Sequence, residues 1–117
     1  MPAEPIKSFR DFWPYYVGEH RQRATRAWHF LGTTLALALM VGSVAAGWWW
    51  GLLAVPLCGY AFAWISHLCI ERNRPATFRY PLWSLLADFK MWGMILSGRM
   101  AGEVRRILEQ PAEPRGR

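Results

Sequence analysis

The stretch WHFLGTTLALALMVGSVAAGWWWGLLAVPLCGYAFAWISHLCIE, residues 28–71, decides the fold of this chain. No acidic or basic residue interrupts it before Glu71, its last residue. The tight turn GWWWG, residues 47–51, divides it into two runs, each close to the length of about 20 residues that crosses a bilayer. A soluble protein with two such buried helices would need a far larger polar shell than 117 residues provide. We therefore predict an all-α, small integral membrane protein built on an antiparallel transmembrane hairpin, with helices at about residues 28–46 and 49–69.

The charged residues lie on either side of this stretch. The chain carries 14 Lys and Arg against 8 Asp and Glu, and arginines flank the apolar stretch on both sides, whereas the tryptophan turn has no charge. By the positive-inside rule both termini are cytoplasmic and the turn lies on the far side of the membrane. The net charge of +6 suits anionic lipid headgroups. We expect no nucleic-acid partner, because the apolar region is too continuous.

The hairpin is extended by further elements, and we expect one helical membrane domain over residues 8–110. A polar lead, residues 1–7, precedes a short helix at 8–18 whose apolar face lies either at the membrane interface or on the protein's own core. A third apolar element, residues 80–97, either spans or re-enters the membrane or lies amphipathically on its surface. It contains Asp88, which is either functional or paired with Lys90 or an arginine. A basic amphipathic helix follows at 98–110, and residues 111–117 are predicted to be disordered.

The two cysteines, Cys58 and Cys69, indicate a reduced compartment. They lie on one predicted helix, too far apart for a disulfide, and they lack the CxxC spacing of a zinc site. We interpret both as small apolar residues.

The chain has three histidines, His20, His29 and His67. His29 and His67 are equally distant in sequence from Trp48, near the tip of the hairpin, so an antiparallel hairpin places them at the same depth. Glu71 lies one helical turn beyond His67, on the same face. His20 joins this group only if the chain turns between residues 19 and 26. Three imidazoles and a carboxylate suit iron, manganese or zinc. The alternative is that the histidines are interfacial residues that bind no metal.

Two segments carry a family resemblance: FWPYYVGEHRQRATRAWHFLGTTLALAL, residues 12–39, and YAFAWISHLCIERNRPATFRYPLWSLLADFKMW, residues 60–92. They resemble the short bacterial members of a membrane family whose characterised fungal relative is an endoplasmic-reticulum 2-hydroxy fatty acid dioxygenase. That enzyme needs ferrous iron and carries out the α-oxidation step of phytosphingosine breakdown. The resemblance extends from residue 9 to about residue 97 and implies a location in the bacterial inner membrane.

The resemblance also implies roles for individual residues. It makes His20, His29 and His67 the candidate iron ligands, and Glu71 a catalytic residue that ligates the metal or orients a histidine. The chemistry of the segment that follows, rather than the resemblance, makes Arg72, Asn73, Arg74 and Thr77 the candidate substrate-binding residues, since arginine suits a substrate carboxylate and threonine offers a hydroxyl. The alternative is that Arg72 and Arg74 are only the positive-inside residues that flank the hairpin. The chain departs from the fungal pattern at Glu19, where that pattern has a second histidine, and at Ala63, where it has glutamine.

Two functional hypotheses follow. In the first, ferrous iron binds dioxygen and the head of a 2-hydroxy fatty acid while the acyl tail stays in the bilayer. In the second, the protein is a non-enzymatic membrane lipid-binding or scaffold protein whose basic flanks attract anionic headgroups. Association into a homo-oligomer or a larger membrane complex is compatible with both.

Overall fold

The computed structural model describes residues 5–75 and 79–109 of the chain. Within these ranges the chain forms five α-helices and one π-helical segment, and no strand. The elements in chain order are α1 (Phe9–Gly18), α2 (Arg23–Ala45), α3 (Gly51–Ile65), the π segment (Ser66–Glu71), α4 (Pro81–Leu96) and α5 (Met100–Leu108). The predicted all-α architecture is therefore confirmed. The tail at 111–117 and Thr77 lie outside the described residues.

The hairpin consists of α2 on one side and α3 with the π segment on the other. The two sides have 23 and 21 residues and are long and apolar enough to cross a membrane. At 1.5 Å per residue they extend for ~34 and ~31 Å, close to the thickness of a hydrocarbon core. The first begins five residues earlier than the apolar run, because the polar residues from Arg23 onward form its first turn.

The antiparallel register follows from small residues along the contact between α2 and α3. A Cβ built on Gly32 would lie 2.5 Å from Cβ of Phe62, so only glycine permits this approach. Further along, Gly59 faces Ala36. At the turn, Gly47 takes a left-handed conformation with φ of +68°. The next amide, that of Trp48, then donates to the carbonyl of Ser43, which closes α2.

The outer surface of the hairpin is apolar and exposed. Only four residues of α2 and two of α3 are buried. Leucines such as Leu53 and Leu57 are 63% and 72% exposed, and the three tryptophans of the turn are also largely exposed. A surface of this kind is typical of helices that face lipid.

Helices α1, α4 and α5 form a second layer beside the end of the hairpin that lies opposite the tryptophan turn. Ser8 caps α1 by accepting from the amide of Asp11. The layer has its own core, consisting of Phe12, Trp13, Tyr16, Val17, Ala87, Met91, Met94 and Met100. Of the two placements considered for α1, packing on the protein's own core is therefore the one observed. On its other face α4 contacts α2, where Trp92 Nε1 donates to Thr34 Oγ1 at 2.9 Å.

Candidate metal centre

The three histidines lie together where the two layers meet. Helix α1 ends at Gly18, and a short link containing His20 turns the chain before α2 begins at Arg23. The ring centroid of His20 lies 4.4 Å from that of His29 and 4.5 Å from that of His67, and the last two are 5.0 Å apart. One nitrogen of each ring lies within 4.8 Å of the others. All three side chains are buried.

The hydrogen bonds of two rings fix their tautomers. Nδ1 of His20 lies 2.7 Å from the carbonyl oxygen of Tyr16, and Nδ1 of His67 lies 2.7 Å from Oδ1 of Asn73. Carbonyl and amide oxygens only accept hydrogen bonds, so both Nδ1 atoms carry the proton and donate. In both rings Nε2 therefore keeps its lone pair, which is the arrangement of histidines that ligate metals.

The tautomer of His29 is not fixed in the same way, because each of its two ring nitrogens has an acceptor nearby. Its Nε2 lies 3.2 Å from Nε2 of His20, and Oδ1 of Asp88 lies 3.7 Å from its Nδ1. A proton on Nε2 makes a hydrogen bond to the lone pair of His20. If the proton is instead on Nδ1, it faces the Asp88 carboxylate. The Nε2 lone pairs of all three imidazoles then point into the same space, and they repel one another unless a cation lies between them. The site thus needs either a shared proton or a metal ion.

Helix α4 brings polar groups to the same place. The hydroxyl of Tyr16 donates to Oδ1 of Asp88 at 2.5 Å, so this carboxylate is held between the phenol and His29. One turn earlier on α4, Oγ of Ser84 is buried and has no hydrogen-bond partner among the described residues. Both side chains line the small cavity that the imidazoles enclose. The sequence marked Asp88 as a carboxylate within an apolar element, either functional or paired with Lys90 or an arginine, and its observed partners are Tyr16 and His29. Sequence reasoning overlooked Ser84, which no local pattern distinguishes from other serines.

Burial governs the ionisation of this cluster. It lowers the pKa of His20 well below its ordinary value, and the imidazoles of His29 and His67 add to this effect. Burial also raises the pKa of Asp88 to about 7, against the opposing effect of its hydrogen bond from Tyr16. The pKa of Tyr16 is raised by burial and by the Asp88 carboxylate, so the phenol stays protonated and donates. A neutral imidazole is the form that binds a metal.

The space between the imidazoles fits a single ion. Its volume is about 10 Å³, which is room for roughly one water-sized sphere. The donor set is three neutral nitrogens, and imidazole binds iron, zinc, copper and nickel. Ser84 adds a hydroxyl at the wall of the cavity that no described residue bonds. The residues present therefore fit a transition metal, and three histidines leave coordination positions for further ligands.

The π segment and Arg72 position His67. Arg72 takes a left-handed conformation, with φ of +59°, which is uncommon for a residue with a side chain. The chain reverses there, and the amide of Asn73 donates to the carbonyl of His67. The Asn73 side chain then reaches His67 with its oxygen and donates from Nδ2 to the carbonyl of Glu19 at 3.1 Å. Asn73, expected at the substrate, thus links His67 to the segment that carries His20.

Glu71, the last residue of the π segment, lies beside the start of α2 and outside the group of three imidazoles. Its carboxylate accepts from the backbone amide of Gln22, and the Gln22 side chain donates to the carbonyl of Ile70. Gln22 makes no side-chain cap of its own, so Glu71 satisfies one of the free amides at this helix N-terminus. The arrangement fastens the π segment to α2 and so fixes the relative depth of His67 and His29.

The candidate residues Arg72 and Arg74 lie on the segment that borders the cavity. Arg72 and Arg74 are exposed. Pro75, which follows them, is buried and lines the cavity with the imidazoles. The two cysteines are free, with Cys69 exposed and Cys58 partly buried.

Comparison with known proteins gives one match. The family model described as "2-hydroxy-palmitic acid dioxygenase Mpo1-like" matches residues 6–100. That range includes the three histidines, Asn73 and Asp88. No curated protein and no solved structure matches the chain.

Proposed function

Because the chain belongs to the Mpo1-like family, we propose that it is an iron-dependent membrane dioxygenase that acts on a 2-hydroxy fatty acid or a related lipid. The observation that supports this most strongly is the orientation of the imidazoles. Two of the three carry their proton on Nδ1, bonded to an oxygen outside the cluster, and the third has a carboxylate beside its Nδ1. Such outer partners are typical of metal-binding histidines.

In this proposal Nε2 of His20, His29 and His67 hold the metal. Ferrous iron, when bound, would supply open positions for dioxygen and for the two head oxygens of a 2-hydroxy acid. The overall reaction balances without a further reductant. A 2-hydroxy acid and dioxygen give the acid one carbon shorter, carbon dioxide and water, and four electrons pass from the substrate to dioxygen.

The protein's own residues would prepare the site for this reaction. Asp88 favours the proton of His29 on Nδ1 and so frees its Nε2 for the metal. Ser84, which has no hydrogen-bond partner in the part of the chain that the structure describes, would donate its hydroxyl to a head oxygen of the substrate or to dioxygen. Arg72 and Arg74 would attract the substrate carboxylate from the border of the cavity, and Thr77, three residues further along the chain, would add its hydroxyl to substrate binding. We assign Glu71 the task of holding α2 and the π segment in place.

The hairpin would span the bacterial inner membrane, with both termini and the second layer on the cytoplasmic side. This orientation rests on the arginines that flank the hairpin and on its uncharged turn. Arginines of α5 would then meet anionic headgroups. The metal centre would lie at the membrane surface, where a polar lipid head meets an acyl tail.

The first experiment measures metal in the detergent-purified protein, prepared without chelator and reconstituted anaerobically with ferrous iron. We expect one iron per chain in the wild type and its loss in a His29→Ala/His67→Ala double variant. Arg21→Ala is the matched control, because Arg21 is exposed in the same link as His20. The iron-loaded protein should then consume oxygen and convert 2-hydroxypalmitic acid to the acid one carbon shorter. Failure to bind iron after reconstitution would contradict the proposal.

The second candidate is a non-enzymatic lipid-binding or scaffold protein. The exposed apolar surface of the hairpin favours it, since such a surface also suits lipid binding or association with copies of itself. Under this alternative the double histidine variant would bind lipid as the wild type does, and no metal would be retained by either protein.

A further inference from the structure

A larger groove begins at the metal centre and runs along the hairpin. It lies between α2, α3 and α4 and has a volume of about 280 Å³. Three of its lining residues, His29, Ala63 and Asp88, also line the small cavity between the imidazoles. The two spaces therefore adjoin at these residues, and a molecule in the groove would have one end beside His29.

The groove changes in character along its length. At the metal centre it is polar, with His29 and Asp88 in its wall. Away from that end the wall becomes mainly apolar, formed by Leu37, Met40, Val55 and Pro56. Leu85 and Phe89, which flank Asp88 on α4, add further apolar surface. A polar head and an apolar tail in one molecule would complement both ends at once.

The length of the groove can be estimated from α2. His29 and Met40 mark its two ends on this helix, which at 1.5 Å per residue corresponds to ~16 Å. An extended alkyl chain with C–C bonds near 1.5 Å advances about 1.25 Å per carbon, so about 13 carbons fit. The tail of 2-hydroxypalmitic acid beyond its hydroxyl-bearing carbon has about 14 carbons and a similar extended length.

We infer that this groove is the binding site for a single acyl chain and that its length sets the chain length of the substrate. Gly59 forms part of its wall, and a Cβ there would make ordinary van der Waals contact with Ala36 alone, 3.9 Å away. A larger side chain at residue 59 would therefore extend into the groove. Ala36 lies about 10 Å along α2 from His29, so such a block would leave room for about eight carbons. The inference rests on the proposed function for the identity of the head group.

The test compares Gly59→Leu with Gly42→Leu in lipid nanodiscs. Gly42 lies on α2, is exposed and has open space around it, so the same substitution there leaves the groove unchanged. The readout is binding of 2-hydroxy fatty acids of 8 to 16 carbons, measured by competition with a fluorescent fatty acid on metal-free and iron-loaded protein. We expect Gly59→Leu to weaken binding of the 16-carbon acid at least tenfold and that of the 8-carbon acid less than threefold. Identical profiles for the two variants would overturn the inference.

A second measurement needs no variant. The wild type is irradiated with 2-hydroxypalmitic acid that carries a diazirine near carbon 12, and the labelled peptides are mapped. Labelling of Leu37, Met40 and Val55 supports the acyl site, whereas labelling confined to outward residues such as Leu53 and Leu57 contradicts it. Both measurements work without iron, so loss of iron binding would refute the dioxygenase while leaving the groove testable. Normal iron binding with a chain-length profile unaffected by Gly59→Leu would refute the groove alone.

Discussion

Asn73 provides the sharpest test of how the metal centre is built. Its side-chain oxygen accepts from Nδ1 of His67 at 2.7 Å, and its Nδ2 donates to the carbonyl of Glu19 at 3.1 Å. Replacing Asn73 with alanine removes both contacts and leaves the His67 ring free to rotate or to change tautomer. Loss of such an outer partner typically weakens metal binding 10- to 100-fold, which corresponds to about 1.4–2.7 kcal/mol.

The assay is an anaerobic titration of the purified protein with cobalt(II), whose visible absorption reports coordination, followed by competition with iron(II). Gln22→Ala is the matched control. It removes a hydrogen bond of 2.9 Å to the carbonyl of Ile70 between the same two segments, without touching an imidazole. We expect Asn73→Ala to lose at least tenfold in affinity and Gln22→Ala less than threefold. Asn73→Asp keeps an acceptor for His67 and should lie between them.

Measuring the stability of the variants shows whether Asn73→Ala loses metal because the His67 ring is misplaced or because the protein unfolds. Each lost hydrogen bond costs about 1 kcal/mol of unfolding free energy, so Asn73→Ala should be destabilised by about 2 kcal/mol and remain folded. If folded Asn73→Ala bound cobalt as tightly as the control, the tautomer of His67 would not depend on this amide. The argument that a hydrogen bond at Nδ1 prepares Nε2 of His67 for the metal would then be refuted.

Three further predictions follow from single contacts. Ser84→Ala should leave iron binding and stability unchanged, because its hydroxyl has no partner among residues 5–75 and 79–109. It should lower turnover about tenfold, the effect of losing one hydrogen bond of about 1.4 kcal/mol; unchanged turnover would remove Ser84 from the site. Glu71→Ala should cost about 1 kcal/mol in a denaturant titration through loss of the α2 cap, and Glu71→Gln, which keeps an acceptor, should cost less; loss of turnover in a fully stable Glu71→Gln would make this residue catalytic instead. Gly32→Ala should destabilise the hairpin by about 1–3 kcal/mol in thermal unfolding, because the new methyl group overlaps Phe62. Gly42→Ala, which has open space around it, should be neutral or stabilising. Equal melting temperatures for the two variants would contradict the observed register.

Much of the fold could be predicted from the sequence because its signals are local. Two uncharged runs separated by GWWWG predict a hairpin by length alone, and the structure has it. The family resemblance read from residues 12–39 and 60–92 is confirmed by the family match. The register of the hairpin follows from its turn, so the nearness of His29 and His67 could be inferred from equal offsets. The return of His20 required only a break after Gly18.

The surroundings of the histidines could not be predicted in the same way. Tyr16 and Asp88 meet because α1 and α4 share a core, and nothing in the sequence near either residue indicates that partner. The spacing of His67 and Glu71 predicts a common face and does not predict what Glu71 binds, which is an amide at the start of another helix. The π segment and the left-handed Arg72 have no sequence signal either, although together they bring Asn73 back to His67.

Because the three imidazoles come from separate parts of the chain, metal binding should affect how fast the protein is degraded in a cell. They come from the link after α1, from α2 and from the π segment, so an ion bound to all three is a removable cross-link between distant parts of the chain. By loop-closure entropy, joining residues 29 and 67 alone would stabilise a flexible chain by about 4 kcal/mol, and less where the hairpin is already formed. The link carries the exposed Arg21, and the exposed Arg23 follows as the first residue of α2; both are tryptic cleavage sites. Proteolysis at this link should therefore be slow in the metal-bound protein and fast after chelation. The rate of cleavage would then depend directly on how much of the protein holds a metal ion.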